Sequence, residues 1–204
     1  MAPNGKVPAR EAKGRQTRER LLGAAIGEFK RGGMAGADVG EIVAAAGVAH
    51  ATFYFHFPTK EHVLLELERR EEQRMATELS RFFRKPHRLT DTLTEVIHVL
   101  DALNRRLGSR LFKDLLTLHF STTRPPEEEF TDHPVIVAVV DDIERARDRG
   151  EVPPGTDAFH SGVFYLLGLY ALLITTPDEP SVRTPLLDKY VATALRGMGS
   201  PQEP

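Results

Sequence analysis

Four side chains within one short stretch, Thr52, Tyr54, His56 and Lys60, are hydrogen-bond donors of the kind that hold phosphate oxygens. Lys60 stands close to the start of a following helical pattern, and the basic arm Lys13–Arg20 precedes the group in the chain. The chemistry on offer is the gripping of a polyanionic backbone, which needs these donors fixed on one surface.

The elements that would fix them are local and short. Asp38-Val-Gly-Glu41 has the form of a capping box, in which the Asp carboxylate accepts from the backbone N–H three residues on and Glu41 reaches back. Ile42, Val43 and Ala46 give the helix it starts an apolar face, and Gly47 allows a tight left-handed exit into a second short piece, Val48–His56. Two short helices crossing at a glycine turn describe a helix-turn-helix, whose second helix fits the major groove of DNA.

Charge supports the same division. The 204 residues hold 27 Lys+Arg and 29 Asp+Glu, a net −2. Residues 1–60 hold nine basic and five acidic side chains, +4, so the remainder carries (27 − 9) − (29 − 5) = −6. A basic head and an acidic body are therefore expected. The absence of cysteine excludes disulfides, thiolate nucleophiles and Cys-bearing metal sites. No His pair has the i,i+3 or i,i+4 spacing of a buried metal site, so neither metal nor cofactor is expected. Neither G-x-S-x-G, H-E-x-x-H nor a phosphate-binding glycine loop is present, and nothing assembles a nucleophile with a base. Glu127-Glu-Glu129 reads as a solvated charge run.

Periodicity predicts an all-α chain of about nine helices: 16–31 (closed by Gly32-Gly33), the two short pieces above, Lys60–Arg84, and about 90–107, 109–121, 133–149, 157–175 and 184–198. Pairs such as Glu66 and Arg70 suggest that the Lys60–Arg84 helix shows a charged face to solvent. Residues 1–14 and 199–204 read as disordered and 122–132 as a mobile loop. The most apolar run, Val163–Ile174, is shorter than the ~18–20 residues that span a bilayer. The N-terminus lacks the apolar stretch of a signal peptide, so no membrane partner and a cytoplasmic location are expected. The helix holding that run is apolar all round and must be covered all round. Heptad-like apolar residues near the C-terminus offer a second interface helix.

The string Glu41-Ile-Val-Ala-Ala-Ala-Gly-Val-Ala-His-Ala-Thr-Phe-Tyr-Phe-His-Phe-Pro-Thr-Lys60, with Thr17-Arg-Glu-Arg-Leu-Leu22, Phe29 and Gly33 before it, closely resembles the DNA-binding signature of the TetR family of transcriptional regulators. The close match covers roughly residues 15–65. The resemblance implies a disordered basic arm (1–14), a DNA-binding domain (15–60, helix-turn-helix about 38–57) and a ligand-binding and dimerisation domain (61–204). It implies that Val48–Phe55 is the recognition helix, with Ala49, His50 and Ala51 nearest the base edges. Thr52, Tyr54, His56 and Lys60 would then hold phosphates, with Thr17 as an auxiliary contact, and Phe53 and Phe57 would be core. His50 could bond a purine N7, and the alanines could touch thymine methyls. The sequence departs from the family pattern at Asp38 and Ala49, where Ser or Thr is usual, and at Ala51, where Gly is usual.

The resemblance also implies a homodimer bound to a palindromic operator, and a small apolar or aromatic effector that releases it, as expected of a repressor. Leu103, Leu107, Phe112, Leu116, His119, Phe120, Phe164 and Tyr165 are the expected pocket lining. Gly168, Leu172, Leu187, Tyr190, Val191, Ala194 and Met198 are the expected dimer face, with Gly162 and Gly168 permitting close helix approach. The alternatives are a helical enzyme or a protein-interaction adaptor without a DNA role.

Overall fold

The computed structural model describes residues 9–118, 120–122, 124–125 and 133–199. Among these it contains nine helices and no strand: α1 Ala9–Gly36, α2 Val39–Ala46, α3 His50–His56, α4 Lys60–Phe82, α5 Leu89–Leu107, α6 Ser109–Leu118, α7 Pro134–Asp148, α8 Ala158–Thr175 and α9 Pro180–Gly199. The all-α reading is correct. Helices α1–α3 form a small head around Phe29, Ile42, Phe53 and Phe57, all fully buried, and α4 runs from that head into a body built of α5–α9.

Helix ends follow from backbone chemistry. Gly33 (φ 77, ψ 163) breaks α1 where Gly32-Gly33 was expected to end it, and one further turn follows. Gly108 (φ 79) closes α5 and lets α6 begin at the next residue. Asp157 caps α8 by accepting from the His160 backbone N–H at 3.0 Å. Two boundaries differ from expectation. Residues 9–14 are helical rather than disordered. Helix α9 begins at Pro180, not 184, because a proline at the first helical position loses no bond, and Glu179 O accepts from Val182 and Arg183 N–H. Most of the expected 122–132 loop, and residues 200–204, lie outside the described residues.

Helix α8 is 18 residues long with mean hydropathy 1.6, so by length and composition it meets the bilayer criterion that its apolar run alone does not. Here it is a packed body helix. Gly162 lets α7 close in, since a Cβ there would lie 3.0 Å from Val140, and Tyr165 donates its hydroxyl to Leu93 O at 2.6 Å.

The expectation of a solvent-facing charged side on α4 is wrong over its middle. Glu68, Glu71 and Glu72 are 3%, 9% and 6% exposed. Each meets a base from elsewhere in the body: Arg124 at 3.0 Å, Arg106 at 2.7 Å and His133 at 3.0 Å. Their partners lie far away in the chain, so the i,i+3/i,i+4 pattern within α4 carries no sign of them. A second polar knot ties the α4–α5 connection to α7, where fully buried Asp142 accepts from Thr92 Oγ1 at 2.5 Å, His87 Nε2 at 3.1 Å and Arg145 Nε at 3.1 Å.

The bond to Glu72 raises the His133 imidazole above its ordinary pKa, with burial opposing. A raised folded-state pKa contributes stability that is fully present below the unfolded value, near 6.5, and is lost as pH rises through the folded value. His133→Gln should therefore lower the urea midpoint more at pH 6 than at pH 8.5. Equal losses at both pH values would show that the pair contributes nothing through ionisation.

Candidate nucleic-acid interface

The turn between α2 and α3 is built as its residues dictate. Asp38 caps α2, although its Oδ1 accepts from Gly40 N–H at 2.6 Å, two residues on, rather than from Glu41 as a capping box would have it. Gly47 sits at φ 63, ψ 44, where an L side chain is strained, and its N–H and that of Val48 bond back to Ala44 O and Val43 O, each at 3.1 Å. Helix α3 then starts at His50 with Ala49 at the cap position and no side-chain cap bond, the expected consequence of the missing hydroxyl.

Phe53 and Phe57 anchor α3 with no exposed surface, as expected. Turned outward are Ala49, His50, Ala51, Tyr54 and Phe55, with Thr52 and His56 half-buried beside them. His50 and Tyr54 stack one turn apart, ring centroids 5.5 Å. Phe55 is the most exposed large apolar residue described, at 84%. Sequence reasoning missed it, although its place two residues past buried Phe53 on a helix puts it outward.

Three basic or donor positions are arranged differently from expectation. Arg18 does not stand free in the basic arm: its guanidinium lies 4.3 Å over the Phe57 ring, donates to His56 O at 2.5 Å and pairs with Glu66 at 3.0 Å. Arg70 extends that link, bonding Glu19 at 2.6 and 2.7 Å and Glu66 at 2.9 Å, so α1 and α4 are joined by alternating charges. Lys60 Nζ donates to Ala35 O at 3.1 Å and Ala37 O at 3.2 Å, closing the chain after α1 and leaving one N–H for any phosphate. His56 is held below its ordinary pKa, first by burial and then by the Arg18 charge, so near neutral pH it is an uncharged donor. Thr17 is half-buried on α1, next to Arg18. Lys13, Arg15 and Arg20 remain exposed.

The head is also fastened to the body away from α4. Asp114 accepts from Met34 N–H at 2.7 Å, Arg110 donates to Arg31 O at 2.9 Å, and Lys30 donates to Arg106 O at 2.7 Å. The left-handed Gly33 sits directly against Arg110 and Asp114, the former 3.2 Å from where its Cβ would be.

In the body, Leu103, Leu107, Phe112, Leu116 and Tyr165 are buried in the core. Phe120 and Phe164 are 52% and 65% exposed, so neither lines an interior cavity; each is the apolar outward residue that periodicity alone cannot distinguish from an inward one. His119 and Glu127–Glu129 lie outside the described residues. The Tyr165 hydroxyl is already committed to Leu93 O. No group of three His, Cys, Asp or Glu placed to hold a metal occurs among the described residues.

Three of the expected dimer residues turn into the protomer. Leu187, Val191 and Met198 are buried within the protomer, Leu172 and Ala194 half-buried. Tyr190 stacks on Tyr165 at 5.3 Å and donates to Tyr165 O at 2.7 Å, filling the space that Gly168 leaves open. The large apolar side chains left outside are Phe159, Phe164 and Leu167 on α8 and Val182 on α9, and a groove of about 390 Å³ runs between α8 and α9 past His160, Phe164, Tyr190 and Gly197.

Arg18→Ala removes charge-assisted bonds at a partly exposed site and should cost about 1–2 kcal/mol of stability by urea denaturation. In the same variant the His56 ring should titrate at a higher pH by NMR. An unmoved His56 titration would show that the Arg18 charge is not felt there.

Residues 21–67 match the model of the family described as bacterial regulatory proteins, tetR family. An uncharacterized HTH-type transcriptional regulator of Bacillus subtilis (strain 168), YdgC, is 44% identical over 57 residues, 28% of this chain and 29% of that protein, so less than a third of the relative's length is matched. The fold of the whole chain is shared with Thermus thermophilus FadR, a TetR family transcriptional repressor in complex with lauroyl-CoA (TM-score 0.68, 22% identity, covering 92% of this chain and 97% of that one). It is shared equally with RolR in complex with resorcinol (TM-score 0.68, 18% identity, covering 93% and 91%). Residues 21–67 thus match the tetR family of bacterial regulatory proteins, and the chain as a whole shares the fold of these two solved structures.

Proposed function

We propose that this chain is a cytoplasmic, ligand-responsive transcription regulator, not an enzyme, that binds a palindromic DNA operator as a homodimer and is released by a small molecule. The observation that carries the reading is α3: a helix anchored by one buried ring, with its donors and exposed rings turned outward on a head of net positive charge. Thr52, Tyr54 and His56 hold phosphates, joined by Thr17, Lys13, Arg15 and Arg20, while Ala49, His50 and Ala51 lie nearest the bases. Lys60 braces the head and offers its remaining N–H to the backbone. The −6 body is repelled by the same DNA, which favours docking through the head alone.

The dimer face is the outward row Phe164, Leu167 and Ala171 of α8 with the exposed side of α9, in place of the residues that the protomer uses for itself. Two such helices from each chain make a four-helix seam and set two α3 helices about one DNA turn, ~34–36 Å, apart. The effector is apolar or aromatic and enters the body near Leu103, Leu107, Phe112 and Leu116. Support comes from that lining and from the relatives solved with lauroyl-CoA and resorcinol. Helix α6 carries Phe112 and Leu116 on one side and the Arg110 and Asp114 bonds to α1 on the other, so a ligand that shifts α6 shifts the head. The operator must weaken ligand binding by the factor with which the ligand weakens operator binding. A repressor fits this release on binding.

Gel retardation with the chain's own promoter region should give a discrete complex that weakens steeply with salt. Salt-independent binding, or none to any duplex, would sink the DNA reading. Leu167→Glu should yield monomers by analytical ultracentrifugation, with operator affinity reduced at least tenfold. A dimer that survives this change and Phe164→Glu would move the interface elsewhere.

A further inference from the structure

The side of α3 opposite its buried ring is apolar. At 100° per residue, positions two before and two after Phe53 each fall about 20° from the point diametrically opposite it. These are Ala51 and Phe55, one turn apart, so they form the outward midline of the helix. His50 and Tyr54 lie on one flank and Thr52 and His56 on the other, all with polar atoms. The midline itself carries a methyl and a phenyl, and the phenyl is 84% exposed, its ring centroid 5.1 Å from that of His56 in a T-shaped pair. Every other phenylalanine of the head (Phe29, Phe53 and Phe57) is fully buried, so the exposure of this one is not forced by a lack of core.

We propose that Ala51 and Phe55 form an apolar reading stripe that selects thymine through its 5-methyl group. This rests on α3 entering the major groove, as proposed above. A helix lying in that groove directs its outward midline at the base edges and its flanks at the two phosphate walls, which suits the polar flanks here. The thymine methyl is the apolar group that B-DNA presents on the major-groove edge, so a stripe with no donor or acceptor can discriminate only by it. The stripe sets a preference for thymine at one or two positions of each half-site, where hydrogen-bonding readers on the flanks contribute nothing. Ala51 supplies the methyl that keeps the stripe continuous, and a larger side chain there would hold Phe55 away from the groove floor.

The test is binding-site selection with the full-length protein from random duplexes, followed by replacement of each thymine in the selected site with deoxyuridine, which removes the methyl and keeps the base pair. Wild type should lose about fourfold in affinity per half-site at one or two positions, the equivalent of one buried methyl. Phe55→Ala, at a position exposed enough not to disturb folding, should bind thymine and deoxyuridine duplexes equally at those positions and select a site degenerate there. Deoxyuridine that is silent everywhere would overturn the proposal, as would a Phe55→Ala variant with the wild-type deoxyuridine profile. Uniform weakening by Phe55→Ala with no change in preference would assign the ring to the sugar–phosphate wall instead. Failure to select any sequence would overturn the DNA-binding reading itself, an outcome distinct from all of these.

Discussion

Helix α4 takes three carboxylates out of water, and the body is arranged to supply their counter-charges. Burying an ion is tolerable only when a partner comes with it, and removing one partner of such a pair typically costs about 3–5 kcal/mol. Glu68, Glu71 and Glu72 draw their partners from three different places: Arg124 ahead of α7, Arg106 at the end of α5, and His133 at the start of α7. Hydrophobic packing around α4 would accept some rotation or sliding of the helix. Three directional pairs do not, so α4 has one seat in the body.

The same helix is gripped from the head by a different set of charges. Glu66 and Arg70 reach across to Arg18 and Glu19 of α1, and Lys60 holds one carbonyl in the last turn of α1 and one just past it. Because Arg18 also covers Phe57 and bonds His56 O, the placement of α3 depends on the placement of α4. The contacts of α6 with the end of α1 add a second route from body to head. The proposed response to a ligand needs such a link, since a ligand can only shift an equilibrium between states that its site distinguishes. Two of the cations that hold this link, Arg18 and Lys60, are drawn from the basic head, so its net charge of +4 overstates what stands free for a polyanion.

What was legible before the structure was mostly local. The Asp38 cap, the Gly47 turn, the burial of Phe53 and Phe57, and the number and order of the helices all follow from interactions between residues close in the chain. The directions that differ from expectation share another property. For Phe120, Phe164 and the carboxylates of α4, periodicity fixes inward or outward only up to a choice of face. On α8, apolar on nearly every side, even that choice is absent from the pattern. The outward place of Phe55 is local too, since it lies two residues past buried Phe53 on a short helix.

The sequence by itself determined an all-helical chain, a basic head with a helix-turn-helix, and the donors presented by its second helix, because each depends on hydrogen bonds and steric preferences within a few residues. The tertiary structure alone decided which charges are spent inside the protein and which apolar faces remain exposed. It turned Arg18 and Lys60 into braces, put Tyr190 against its own α8, and left Phe55, Phe164 and Leu167 outside. The physical reason is that desolvation depends on what packs against a residue from elsewhere in the chain. Glu66 lies 48 residues from Arg18, and His133 lies 61 from Glu72, separations over which no local pattern carries information.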